Sequence, residues 1–294
     1  MAQRKNVKPT PFRERNGKNP FNASGVVRTG SRRFTFVDNK DPTALFEMTF
    51  DADVETVDRI RRRRLTGADG LGDPEGLARA DLDGGTFLIV SSSLSVAEAG
   101  RRYRSNDGLV RVRYLPDGDL PAEPMAGFRD WLLAHVPALA AAGRLEPDAG
   151  GLNIEGLAWD AHAGALLFGL RGPAVPGRVT MVQVPVDLGR NWTTAALGTP
   201  VLLSARLPPW AEVQGIRDIS RDARTGAFLL LLGRSASHGE VPFRLGTWNR
   251  GDDEVRLLDV TFHRSAKPEG VTTFAVGDEW KILVVDDEGG YAVL

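Results

Sequence analysis

The chain contains no cysteine, which excludes disulfides, thiolate-bound metals and cysteine nucleophiles and suits a reducing compartment. An excess of one charge is also missing. Lys plus Arg (37) almost cancels Asp plus Glu (38), so no whole-molecule field recruits nucleic acid or an anionic membrane. Histidine is scarce. His135, His162, His238 and His263 are scattered with no pairing at i, i+4, and zinc is not expected. No stretch approaches about 18 apolar residues, and the opening MAQRKNVKPTPF has positive charges with no apolar segment behind them. A soluble, cytoplasmic protein is the expectation. No complete P-loop, G-x-G-x-x-G fingerprint or G-x-S-x-G elbow occurs, which removes the familiar nucleotide and serine-hydrolase templates.

What is present is ample core material, 42% hydrophobic residues in 294, and a repeat. A Glu-Gly-aliphatic element, a turn and a strongly apolar run recur as NASGVVRTGSRRFTFV, DPEGLARADLDGGTFLIV, NIEGLAWDAHAGALLFGL, EVQGIRDISRDARTGAFLLLL and KPEGVTTFAVGDEWKILVV. The key glycines are Gly25, Gly76, Gly156, Gly215 and Gly270, at separations of 51, 80, 59 and 55 residues. Allowing insertions, this approaches the period of about 40 to 50 residues typical of propeller blades. The apolar runs are bounded by Gly, Asp and Asn, as central β-strands are. Third strands follow as ALFEMTF, LVRVRYL, RVTMVQVPV, FRLGTWN and YAVL, and fourth strands as ETVDRI, PVLLSARL and VRLLDVTF. The fold class is therefore all-β: a single propeller over residues 22–294, with five blades, or six if the long interval hides another. That interval predicts one inserted amphipathic helix around residues 124–142, with Pro124 in its first turn and Gly143 beyond its end. The last unit has only three strands. Residues 1–21 read as a flexible basic arm, and a segment within residues 7–14 is expected to supply the missing outer strand and close the ring.

A propeller brings the ends of its innermost strands to a common axis, so the residue before each key glycine is a candidate for that axis. These residues are Ser24, Glu75, Glu155, Gln214 and Glu269. Like charges so gathered cost about 3 kcal/mol per pair at about 5 Å and an effective dielectric of about 20, so they need a cation, a proton or arginines. A second set follows the apolar second strands: Asp38, Asn39, Ser91, Ser92, Arg171, Arg234, Asp286 and Asp287. Oxygen ligands without His or Cys suit Ca2+ or Mg2+, which makes Glu75, Glu155, Glu269 and Asp286 the candidate metal ligands. Arg171, Arg217 and Arg234, with Asp38, Asn39, Ser91 and Gln214, form the candidate ligand-binding set, because guanidinium groups capture carboxylate or phosphate in two-point contacts. The plainer alternative is that the acids and serines only fix turns while the arginines pair with the glutamates.

The words NIEGLA and GLRGP resemble the signature of an uncharacterised bacterial domain-of-unknown-function family. More distantly, PEGLA and PEGV ending in VDD are similar to phytase-like, esterase-like and lactonase propellers, which hold Ca2+ in the channel. That resemblance implies that Glu75, Glu155 and Glu269 face the channel; Gln214 and Ser24 depart from the pattern. Two functions are open at this point. One is a scaffold that binds a small anionic ligand or a protein partner at a polar axial site. The other is a metal-assisted hydrolase of a small anionic ester, lactone or phosphoester. The arginines at 61–64 read as solvated charge on an outer strand, without the interleaved aromatics that nucleic acid favours. Trp159 and Trp280 are expected to anchor packing between blades.

Overall fold

In a computed structural model, residues 5–12, 21–69, 71–211, 213–237 and 241–294 are described. The chain forms β1 (Lys5–Val7) and β2 (Thr10–Pro11), then β3 (Ala23–Arg28), β4 (Arg33–Asp38), β5 (Ala44–Phe50) and β6 (Val57–Thr66). A second meander follows as β7 (Pro74–Leu82), β8 (Gly85–Ser92), β9 (Leu109–Arg113) and β10 (Leu120–Met125), then α1 (Phe128–His135). The third holds β11 (Asn153–Asp160), β12 (Ala165–Gly172), β13 (Arg178–Pro185) and β14 (Val201–Arg206). The fourth holds β15 (Gln214–Arg221), β16 (Phe228–Arg234), β17 (Arg244–Trp248) and β18 (Arg256–Leu257), followed by β19 (Val260–Phe262). The last is β20 (Pro268–Val276), β21 (Glu279–Asp286) and β22 (Gly290–Val293).

These strands build an all-β, propeller-like fold from antiparallel meanders. The first two meanders fuse into one eight-stranded sheet through a parallel β6·β10 pair, and the remainder form separate four-stranded sheets. The first strands pack side by side around a ring: β3 beside β7, β7 beside β11, β11 beside β15, β15 beside β20, and β20 beside β3. Apolar side chains fill the seams between neighbouring sheets, as the both-face burial of β4, β12 and β16 requires. The seam between the last and first meanders is aromatic, with Phe34 against Phe274 and Phe50 against Tyr291. Asp160 and Asp222 fix their hairpins by accepting backbone N–H bonds from His162 and Arg224.

The last sheet receives its outer strand from the other end of the chain: Thr10 and Pro11 pair with Tyr291 and Gly290 of β22. Phe12 then buries its ring against Phe36 and Tyr291. Residues 1–4 and 13–20 of the expected arm, and His238, lie outside the described residues.

The long interval differs from expectation. Pro124 is not in a helix but in β10, opposite Val110 of β9, and this strand is the fourth member of the second meander. The helix runs only from Phe128 to His135, entered through Gly127 at φ 76°. It stops because Pro137 excludes helical geometry for Val136, which sits at φ −124°, ψ 75° before a short 3-10 turn over Pro137–Leu139. Arg63 is a second correction. It shares the inward face of β6 with Leu65 and is 1% exposed, donating to the carbonyls of Gly118 and Leu115 and pairing with Glu47. No helix among the described residues is long and apolar enough to cross a membrane.

Candidate axial site

Each first strand carries an irregularity within two residues of its key glycine. The register slips between Pro74 and Gly76, between Ile154 and Gly156, and between Pro268 and Gly270, leaving Glu75, Glu155 and Glu269 without a ladder partner. In β3 the unpaired residue is Gly25. In β15 the slip falls between Ile216 and Asp218, so the unpaired residue is Arg217 and not Gln214. A bulge re-aims the extra side chain out of the ladder, and here the bulges deliver three glutamates and one arginine to one end of the ring. The adjoining glycines permit the close approach this needs. A Cβ on Gly76 would lie 2.6 Å from Leu157 Cβ of the next strand, and one on Gly215 would lie 2.3 Å from the Arg171 carbonyl oxygen.

Arg217 is the keystone of the resulting well. Its Nε lies 3.0 Å from Glu155 Oε2 and donates to Glu269 Oε2 at 2.9 Å, while Nη2 donates to Glu269 Oε1. Arg171 Nη1 donates to Glu155 Oε1 at 2.8 Å, and Asn153 Nδ2 donates to the same oxygen at 3.1 Å. Asn39 Nδ2 reaches Glu75 Oε1 at 3.3 Å. The well has a volume of about 240 Å³, and Arg234, Lys267 and Asp287 also line it. Phe243 is the one apolar side chain in its described lining.

Burial and the neighbouring charges set the protonation states. Burial pushes the Glu75 carboxyl well above the usual range, and Glu155, Asp73 and Glu269 add to the effect against the opposing pull of Arg217. Glu269 is pushed up to about 7, with burial first among the causes and Arg217 working against it. Arg217 itself is held more firmly protonated, since Glu155 and Glu269 outweigh the desolvation that opposes its charge. Behind the well, burial also raises Asp218, whose oxygens accept backbone bonds from Val271 and Ile219.

Several expected members lie elsewhere. Asp286 accepts from the backbone N–H groups of Lys267 and Glu288, fixing a turn, and its neighbour Asp287 is the one that faces the well. Asp38 does the same for Asn22 and Lys40 while Asn39 faces inward. Gln214 is buried and donates to the Pro242 carbonyl. Ser91 is buried behind Gly76, where a Cβ would meet its Oγ at 2.5 Å. The expected cation cage does not fit this arrangement, because a guanidinium occupies the space between Glu155 and Glu269. No group of three or more His, Asp or Glu among the described residues is placed to hold a metal ion. The convergence of Glu75, Glu155 and Glu269 follows from the Glu-Gly words. Arg171 and Arg217 pair with the glutamates, as the plainer sequence alternative has it. What the sequence hides is that Arg217 is the bulged residue of β15, because aligning the glycines puts Gln214 opposite the glutamates.

No family model matches the chain, and no curated protein matches it, so membership of the GLRGP-marked family gains no support. Among solved structures, an α-L-arabinofuranosidase from Lactobacillus brevis is similar over 94% of this chain and 91% of its own, with a TM-score of 0.52 at 11% identity. The fold is that of a β-propeller or a close relative. The major allergen Mala s 1 of Malassezia sympodialis is 12% identical over 94% of this chain and 79% of its own, with a TM-score of 0.45. A calcium structure of a Trichoderma reesei carbohydrate-active enzyme of family AA12 is 9% identical over 92% and 79%, with a TM-score of 0.44.

Proposed function

We propose that the chain is a single five-bladed propeller acting as a binding module, and that its axial well takes a small anionic ligand. The observation that carries this reading is a pair of buried, unbonded donors in the well, Arg217 Nη1 and Arg171 Nε. A buried donor without an acceptor costs about 1 to 3 kcal/mol, and a carboxylate or phosphate oxygen relieves that cost. Lys267 is paired with Glu288 at the rim, so Arg171, Arg217 and Arg234 face Glu155, Glu269 and Asp287, while Glu75 is biased toward its neutral acid and adds no negative charge. Glu155 and Glu269 would then serve as positioning residues that hold Arg217 rigid, leaving Arg171 and Arg234 to meet the ligand.

Metal-assisted hydrolysis is the alternative expected from the acid set. It requires a cation to replace a buried guanidinium that two carboxylates already hold, which the geometry opposes. Calorimetric titration with succinate and with inorganic phosphate tests the binding reading: at least one should show saturable heat, weakened tenfold or more in Arg171→Ala. Absence of heat with both anions would sink it. Uptake of Ca2+ that Glu155→Gln abolishes would favour the hydrolase instead.

A further inference from the structure

The same first strands that open on the acid-lined well end at an opposite mouth of different chemistry. That mouth encloses about 590 Å³, against about 240 Å³ for the well, and every first strand contributes to its wall. Four arginines line it, Arg28, Arg79, Arg221 and Arg224, and Asp81 is the one acid in the described lining. The rest of the wall is mostly apolar, with Trp159 and Trp280 in it, so these tryptophans face a cavity rather than serving only as packing anchors.

The four guanidinium groups are neutralised to very different degrees. Arg79 donates twice to Asp81 Oδ1 and once to the Arg28 carbonyl. Arg28 donates only to carbonyls, of Gly30 and Ser31, which fix its position without cancelling its charge. Arg221 has its Nε buried and unbonded, 3.8 Å from an Asp160 that already receives two bonds from Arg250. Arg224 lies over the Trp280 ring at 5.0 Å. Thr273 adds a buried hydroxyl with no partner. Guanidinium groups that only met water would spread over a convex surface. Here they are gathered around a concavity, two of them pinned by neutral groups, which keeps their mutual repulsion and leaves their forks available.

We propose that this mouth is a second binding site, for a small polyanion carrying two or more phosphate or carboxylate groups. Arg28 and Arg221 would grip from the strand ends and Arg224 would fold over from the rim, with Trp280 supporting it. Arg79, tied to Asp81, would position Arg28.

Tripolyphosphate is the probe, followed by calorimetry and by tryptophan fluorescence at low ionic strength. Saturable binding is expected, weakening steeply as salt is added. Arg221→Ala should reduce affinity at least tenfold. Arg224→Glu, at an exposed turn position, should do the same without disturbing the fold, and so keeps the test decisive if the first variant is unstable. Arg190→Ala, at an exposed position outside both linings, should leave tripolyphosphate affinity unchanged. The proposal is overturned if tripolyphosphate does not saturate. It is equally overturned if Arg224→Glu binds like the wild type, or if the loss appears in Arg190→Ala instead.

Discussion

Replacing Arg217 by Met removes the cation shared by Glu155 and Glu269 while keeping much of its volume. The carboxyl groups it holds belong to residues that are 2% and 8% exposed, so water cannot take over its role. Breaking a buried ion pair from one side costs about 3 to 5 kcal/mol. Glu269 loses its partner while Glu155 keeps Arg171 and Asn153, which places the expectation at about 3 to 4 kcal/mol at pH 7.5, a large share of any domain's stability. The pH dependence gives the sharper test. Without the guanidinium, which opposes the upward shift of Glu269, that acid binds its proton more tightly, so the variant should recover as pH falls. Urea unfolding at pH 7.5 and 5.5 reads this directly: the loss should shrink to less than half at the lower pH, and Arg217→Met with Glu269→Gln should be milder than Arg217→Met alone. A loss below about 1 kcal/mol, or one equal at both pH values, would refute the keystone role. In the wild type Glu269 alone of the two sets the direction. Glu269 has its folded pKa raised from 4.5 to about 7, so its contribution is fully present below pH 4.5 and is lost as pH rises through about 7.

Phe12→Ala should cost about 3 to 4 kcal/mol in denaturant unfolding, since its ring is buried against Phe36, Phe21 and Tyr291 and the cavity would open in the closing seam. A cost under 1 kcal/mol would mean that this segment is not part of the folded ring. Gly215→Ala should destabilise by about 2 to 3 kcal/mol and blunt anion binding in the well, because the new methyl group meets the Arg171 backbone. Thermal melts and the succinate or phosphate titration check both parts, and a variant with wild-type melting would contradict the close approach described for that glycine.

Much of the architecture was written locally. The apolar second strands, the Asp-anchored hairpins and the recurring Glu-Gly words each report a single structural requirement, so they survive reading one chain at a time. Legibility failed where two requirements met. Pro121 and Pro124 argue against a strand by propensity, yet both lie in β10, whose pairing with β6 stops at Pro121, so that Pro124 sits where the strand has a partner on one side only. Arg63 looks like surface charge in the run RRRR, and only the strand's alternation, completed by Glu47 and two loop carbonyls from other parts of the chain, turns it inward. Arg217 is the clearest case. Whether the extra residue in β15 is Gln214 or Arg217 depends on where the ladder slips, and a slip has no residue type of its own.

The pairing of Thr10 with Tyr291 has a consequence for how the molecule is made. During translation the ring stays unlatched until residues 290–293 have left the ribosome, and residues 10–12 must wait while every strand between them is made. The aromatic pocket that receives Phe12 stands open in the meantime. This seam is where a nascent chain is most in need of shielding, and where a second copy could insert its own segment if the wait grew long.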